Sequence, residues 1–174
     1  MCLTVPGTKA ASGSKVDLTS CSGAPRQQWQ PWQPEYSRAI SASLGTSPTT
    51  LINPWSRMCL AVTARATGTR AVIRSCAGTA AQRWTVEPDG TMRVRGRCLE
   101  VNRQGKASGT PAGLYACNGT GAQLWHLTPE GSGVMLVNPR SDRCLTDPNA
   151  ATANGTRLVI EPCAATPGKV WRPA

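Results

Sequence analysis

Apolar residues along this chain come in short runs closed off by Gly, Pro, Ser, Asn or Thr, and no stretch carries the spacing of an amphipathic helix. Four runs occupy matching places: Val16-Asp17-Leu18, Ala71-Val72-Ile73, Gly113-Leu114-Tyr115 and Leu158-Val159-Ile160. Each leads into a cysteine and is bounded by turn residues on both sides, which predicts strands. Two further runs, Leu51-Ile52-Asn53-Pro54 and Leu136-Val137-Asn138-Pro139, supply a strand ahead of two other cysteines. The expected order in each unit is strand, glycine turn, strand, loop, strand.

The cysteines and tryptophans show that these units are copies. Cysteines pair off as Cys2/Cys21, Cys59/Cys76, Cys98/Cys117 and Cys144/Cys163, and eight residues beyond each second Cys stands a Trp: Trp29, Trp84, Trp125 and Trp171. Two residues before the Trp is Gln27, Gln82, Gln123 or, in the fourth unit, Lys169. Leu3, Leu60, Leu99 and Leu145 follow each first Cys, and Gly13-Ser14, Gly68-Thr69, Gly109-Thr110 and Gly155-Thr156 mark the turn before each second Cys. One Trp and a few aliphatics cannot make a core, so the units must share one. Eight cysteines alone leave the connectivity open; the repeat favours pairing within each unit, where a bridge contributes about 3 kcal/mol on the chain-entropy account.

With its Cys-Leu starts and Gln-x-Trp ends in phase, the chain resembles the ricin-type lectin family, whose β-trefoil contains three repeats carrying Cys-Leu-Asp-Val and Gln-x-Trp. The resemblance implies an all-β fold, a β-trefoil of three Gln-x-Trp repeats with one extra N-terminal repeat. The surplus lies at the front: Trp29 to Cys59 spans 30 positions, against 14 from Trp84 to Cys98 and 19 from Trp125 to Cys144. Residues 1–30 are thus expected to be the last repeat of a preceding, truncated trefoil, 31–50 a linker and 51–174 a complete lectin domain.

Composition narrows the setting. The 174 residues suffice for one ordinary domain plus an appended piece. There is no Phe, but there are 6 Trp, so aromatic burial is concentrated in a few large side chains. Eight Cys with one His point to disulfides in an oxidising exterior compartment and away from zinc. A secreted protein is expected, with an export signal lying upstream of Met1. No apolar run is long enough for a membrane helix. The formal charge is +10 with only 16% charged residues. Alternation would put Arg93, Arg95 and Arg97 on one strand face, a clamp for sulfates or uronates if not merely a solvated face. Nucleic acid is not an expected partner of an exterior disulfide protein.

For the site, the resemblance implies an acid two residues after the first Cys, a Gln four before the second, an aromatic two before it and an Asn three before the Trp. Carboxylate and amides would hold vicinal hydroxyls while the ring stacks on the pyranose. The third unit fills these with Glu100, Gly113, Tyr115 and Ala122, joined by Gln123 of Gln-x-Trp and by Asn118 beside Cys117. The expected carbohydrate-binding set is therefore Glu100, Tyr115, Asn118 and Gln123; the competing reading makes Glu100 an exposed strand carboxylate and Tyr115 a half-buried strand residue. The second unit, with Ala61, Val72, Arg74 and Ala81, looks sugar-blind, and the fourth offers Thr146, Asp147, Val159, Glu161 and Gly168, with Asn154 as a further candidate. His126, the one His, has no triad partners in any recognisable arrangement. Glu87, Asp89 and Asp142 sit in turn segments. No cofactor motif occurs. The expectation is a non-catalytic carbohydrate-binding module, with a decayed trefoil serving as spacer or protein contact as the alternative.

Overall fold

A computed structural model describes residues 2–4, 17–20 and 47–174. The chain divides into two compact units, 1–34 and 35–174. In the first, strands β1 (Cys2–Thr4) and β2 (Asp17–Thr19) form an antiparallel hairpin in which Cys2 faces Thr19. The second carries twelve strands: β3 (Thr49–Ile52), β4 (Met58–Val62), β5 (Ala71–Ser75), β6 (Arg83–Val86), β7 (Met92–Val94), β8 (Arg97–Val101), β9 (Thr110–Tyr115), β10 (His126–Glu130), β11 (Gly133–Asn138), β12 (Arg143–Thr146), β13 (Val159–Pro162) and β14 (Arg172–Pro173). No helix among the described residues is long and apolar enough to cross a membrane.

The pairings close these strands into a β-trefoil. β3 pairs β6, β6 pairs β7, β10 pairs β11 and β14 pairs β3. Bridges Thr91–Leu124 and Val134–Trp171 complete the ring of six barrel strands. The remaining strands form three hairpins, β4–β5, β8–β9 and β12–β13. These hairpins meet one another through Arg70–Gly113, Val72–Arg157 and Val159–Pro111. β3 begins at Thr49, whose partner is Trp84, so the barrel starts slightly ahead of residue 51.

Within each hairpin the first Cys faces the residue two before the second: Cys59–Arg74, Cys98–Tyr115 and Cys144–Glu161. The β1–β2 hairpin has the same register, Cys2 with Thr19. The bridges Cys59–Cys76, Cys98–Cys117 and Cys144–Cys163 form as the repeat implied, each with Cα atoms 5.1 Å apart. Cys21, and with it the expected Cys2–Cys21 bridge, lies outside the described residues.

Alternation along the hairpins turns Leu60, Leu99, Leu145, Ile73 and Leu114 into the core, all fully buried. Trp84, Trp125 and Trp171 fill the centre and are also buried. A buried indole needs an acceptor. Each donates Nε1–H to the carbonyl of the Leu after its own unit's first Cys: Trp84 to Leu60 at 3.0 Å, Trp125 to Leu99 at 3.0 Å and Trp171 to Leu145 at 3.3 Å.

The barrel corners are stapled by asparagines. Asn53 Oδ1 accepts from the Trp55 and Ser56 amides, while its Nδ2 donates to the carbonyls of Pro167 and Val170. Asn138 repeats the pattern, accepting from Ser141 and donating to Gly121 and Leu124. Each therefore ties its corner to the Gln-x-Trp loop, or its Lys169 equivalent, of another unit. The corner between β7 and β8 is too short for this device, being a tight turn with Arg95 at φ 52° and Gly96 at φ 74°.

Replacing Trp125 by Ala removes both the central ring and the Leu99 carbonyl's partner. The expected cost is about 3–5 kcal/mol of unfolding free energy, measurable by chemical denaturation; a loss below about 1 kcal/mol would show that the indole does not carry the core.

Candidate functional site

In the third unit, β8 and β9 bring three of the expected residues together. Glu100 faces Gly113 across the hairpin and Tyr115 lies two residues further along β9, so all three share the face opposite Leu99 and Leu114. Glu100 is buried, and its Oε2 accepts from Gln123 Nε2 at 2.6 Å. Gln123 also donates to the Ala116 carbonyl at 2.8 Å and accepts the Asn118 amide at 2.9 Å. Gln123 thus fixes the acid and braces the loop after Cys117 at the same time. Glu100 Oε1 takes no protein donor among the described residues. Tyr115 is half-buried, and Asn118 is exposed, its Oδ1 accepting from the Thr120 amide and hydroxyl.

Gly113, standing where the resemblance implied Gln, has a steric cause. A Cβ there would lie 2.6 Å from the Thr69 carbonyl oxygen and 3.2 Å from Asn102 Oδ1. The backbone of the second unit occupies the space a glutamine side chain needs, so the third unit has no side chain at this place.

The second unit keeps the brace and lacks the acid. Gln82 accepts from the Ala77 amide and donates to the Ser75 carbonyl, both at 2.8 Å, beside a buried Ala61.

The fourth unit replaces the brace. Lys169 has no acceptor atom, so it cannot copy the bond that Gln82 and Gln123 receive from the loop. Instead its Nζ donates to Thr166 Oγ1 at 3.1 Å and pairs with Glu161 Oε2 at 3.2 Å. Glu161 occupies the place of Tyr115, so the change from ring to acid and the change from Gln to Lys compensate each other. Both line a concavity of about 310 Å³ together with Thr146, Asp147, Asn149 and Thr166. Gly168 is required there because a Cβ would collide with the Asp147 carbonyl oxygen.

Asp147 itself is fully buried, and neither carboxylate oxygen has a hydrogen-bond partner among the described residues. Burial pushes its pKa up to about 6, against weaker opposing pulls from the Ala151 amide and the Ser56 hydroxyl, which face it without closing to hydrogen-bond geometry. Asn154, expected near it, instead binds Ser75 of the second unit, accepting from its amide at 2.7 Å.

One surface expectation changes. Arg93, Arg95 and Arg97 do not share a strand face, because the tight turn at Arg95-Gly96 separates β7 from β8. Arg93 is also engaged by Asp89 at 2.6 Å. Asp89 is a turn carboxylate held below the usual range, foremost by hydrogen bonds from Thr91 and also by Arg93. His126 is exposed on β10.

The pattern of the ricin-type beta-trefoil lectin domain matches residues 47–171. The chain belongs to this lectin family. Solved structures share its fold. The designed 3-fold symmetric protein ThreeFoil superposes with a TM-score of 0.70 at 25% identity, covering 73% of this chain and 97% of that one. The exo-beta-1,3-galactanase 1,3Gal43A from Clostridium thermocellum gives a TM-score of 0.70 at 22% identity, covering 75% of this chain and only 30% of the enzyme. A non-toxic homologue of type II RIPs from Momordica charantia, in complex with alpha-methyl-D-galactoside, gives 0.61 at 22% identity, covering 77% and 50%. No curated protein sequence matches the chain.

Burial of the Asp147 carboxyl predicts a pH dependence of folding stability with a defined sign. Its folded pKa lies above the ordinary 3.8, so its stabilising contribution is fully present below that value and lost as pH rises through about 6. Asp147→Asn is expected to remove this pH dependence, raising stability at pH 7 relative to pH 4 by about 2–3 kcal/mol compared with the parent chain. Urea unfolding at the two pH values checks it; an unchanged difference would contradict the buried, unpartnered carboxyl.

Proposed function

We propose that this chain is a non-catalytic carbohydrate-binding protein of the cell exterior, with a sugar site on the third unit made by Glu100, Tyr115, Asn118 and Gln123. The observation that carries the reading is the Gln123–Glu100 hydrogen bond, which leaves one oxygen of a fixed carboxylate without a protein donor on the same hairpin face as Tyr115. A carboxylate so placed accepts from sugar hydroxyls, and the phenol ring offers a surface for the apolar side of a pyranose. Family membership and the galactoside bound by the Momordica homologue support the ligand class. The three disulfides agree with an oxidising compartment.

A second reading places the sugar in the fourth unit, and it is favoured by the concavity there. Glu161 is partly exposed and the Lys169 ammonium, having three N–H groups and two protein partners, keeps one for a ligand hydroxyl.

Titration of the full chain with methyl α-D-galactoside, alongside a glycan array, separates the readings. Tyr115→Ala is expected to weaken binding about tenfold or more without moving the melting temperature. If that variant binds normally and Glu161→Ala does not, the fourth unit holds the sugar. Absence of binding to every glycan would leave the spacer function.

In the same proposal residues 1–30 form a separate repeat, followed by a linker that stops short of residue 50, since the pairing of Thr49 with Trp84 supports a lectin domain that begins near residue 47. A chain starting at Ser47 should unfold cooperatively with the stability of the parent's second unit; broad, non-cooperative melting would make the N-terminal repeat integral to the domain.

A further inference from the structure

Among the described residues Trp55 is the one large apolar side chain left exposed, at 70%. A lone exposed hydrophobe needs no explanation. Trp55, however, lines a groove of about 500 Å³ with Pro54, Glu130, Ser132, Thr166 and Arg172, within the usual size of a small-ligand site. Three segments far apart in sequence build it: the β3–β4 corner, the β10–β11 turn and the stretch running into β14. None of the repeat motifs supplies its polar residues.

The groove is preorganised. The Trp55 amide donates to Asn53 Oδ1 at 3.0 Å, and the Arg57 amide donates to the Asn53 carbonyl at 2.9 Å. The same Asn53 binds the carbonyls of Pro167 and Val170, both lining residues of the opposite wall. One side chain therefore holds the indole's corner and the facing loop at a set separation, so binding a ligand orders little backbone.

Its chemistry selects a ligand class. The side chains of Glu130 and Arg172 make no hydrogen bond or ion pair with each other or with any other described residue. The groove thus presents an indole face, a free carboxylate and a free guanidinium together. A phosphate would be repelled by Glu130, and a wholly apolar ligand would cover both charges unpaired, at a cost. An uncharged pyranoside fits all three: its C–H face packs on the indole while adjacent hydroxyls donate to the carboxylate and accept from the guanidinium.

We infer that the groove between Trp55, Glu130 and Arg172 is a second carbohydrate site that binds an uncharged pyranoside stacked on the Trp55 indole, separate from the hairpin sites of the third and fourth units. It shares the lectin reading's ligand class but none of the third-unit residues, and it touches the fourth-unit concavity only through the Thr166–Pro167 segment.

The test is an NMR titration of the full chain with methyl α-D-galactoside and with cellobiose, following the Trp55 indole N–H and the Gly131 and Ser132 amides, which line this groove and not the fourth-unit concavity. At least one sugar is expected to shift all three saturably. Trp55→Ala should abolish the Gly131 and Ser132 shifts, and Glu130→Gln should weaken the apparent affinity about tenfold. Tyr115→Ala and Glu161→Ala should leave these shifts intact. Since Trp55 is exposed, its replacement should not alter the melting temperature. Shifts at Trp55 without any at Tyr115 or Glu161 would uphold this site while removing the hairpin sites. The inference is overturned if neither sugar moves the Trp55 indole, if Trp55→Ala leaves the Gly131 and Ser132 shifts in place, or if the indole signal follows protein concentration in the absence of sugar, which would mark the groove as a contact between copies of the chain.

Discussion

Everything in the lectin domain hangs on the indole N–H that each unit buries at the barrel centre. A tryptophan there contributes more apolar area than any other side chain, yet it brings a donor into a place with no water. The chain answers by spacing Trp84, Trp125 and Trp171 so that each reaches the carbonyl of Leu60, Leu99 or Leu145 in its own unit. That bond ties the Trp, in β6 or immediately ahead of β10 or β14, to the hairpin strand bearing the Leu, and the disulfide beginning one residue earlier locks the same hairpin. The Cys-Leu start and the Gln-x-Trp end are thus two halves of a single contact.

With the hairpins fixed, the site residues become consequences of how neighbouring units meet. Gly113 has no room for a side chain because the Thr69 carbonyl of the second unit presses on it, so that place on the third unit's hairpin face carries no polar group. Gly168 yields in the same way to the Asp147 carbonyl. The polar residue two before each Trp meets a different partner in each unit: Gln123 satisfies Glu100, Gln82 braces its loop alone with Ala61 at the acid's position, and Lys169 turns to Glu161. Each unit has kept the loop closed and altered the polar face in its own way.

The asparagine staples extend this logic from unit to unit. Asn53 and Asn138 satisfy the free carbonyls of another unit's loop and, with the other end of the same amide, their own corner. An amide serves here because it donates and accepts at once. The corner at Asn53 carries Trp55 outward, so the staple that closes the barrel also shapes the groove beside it.

Residue spacing by itself determined the strand order, the pairing of Cys59 with Cys76, Cys98 with Cys117 and Cys144 with Cys163, and the burial of three tryptophans, because these are contacts inside one unit and a repeated distance along the chain reports them directly. The family resemblance, carried over position by position, assigned Glu100, Tyr115 and Gln123 to one unit. Closure of the barrel decided the rest. Whether Asp147 meets solvent or Ser56, whether Asn154 serves a pocket or Ser75, and whether Arg93, Arg95 and Arg97 lie along a strand or around a turn depend on surfaces from different units and on a corner only two residues long. Trp55 carries no motif and gains its surroundings from residues about 75 and 117 positions away, Glu130 and Arg172. Contacts of that range leave no periodic trace in a sequence, since they arise from the angle at which one folded unit docks on the next.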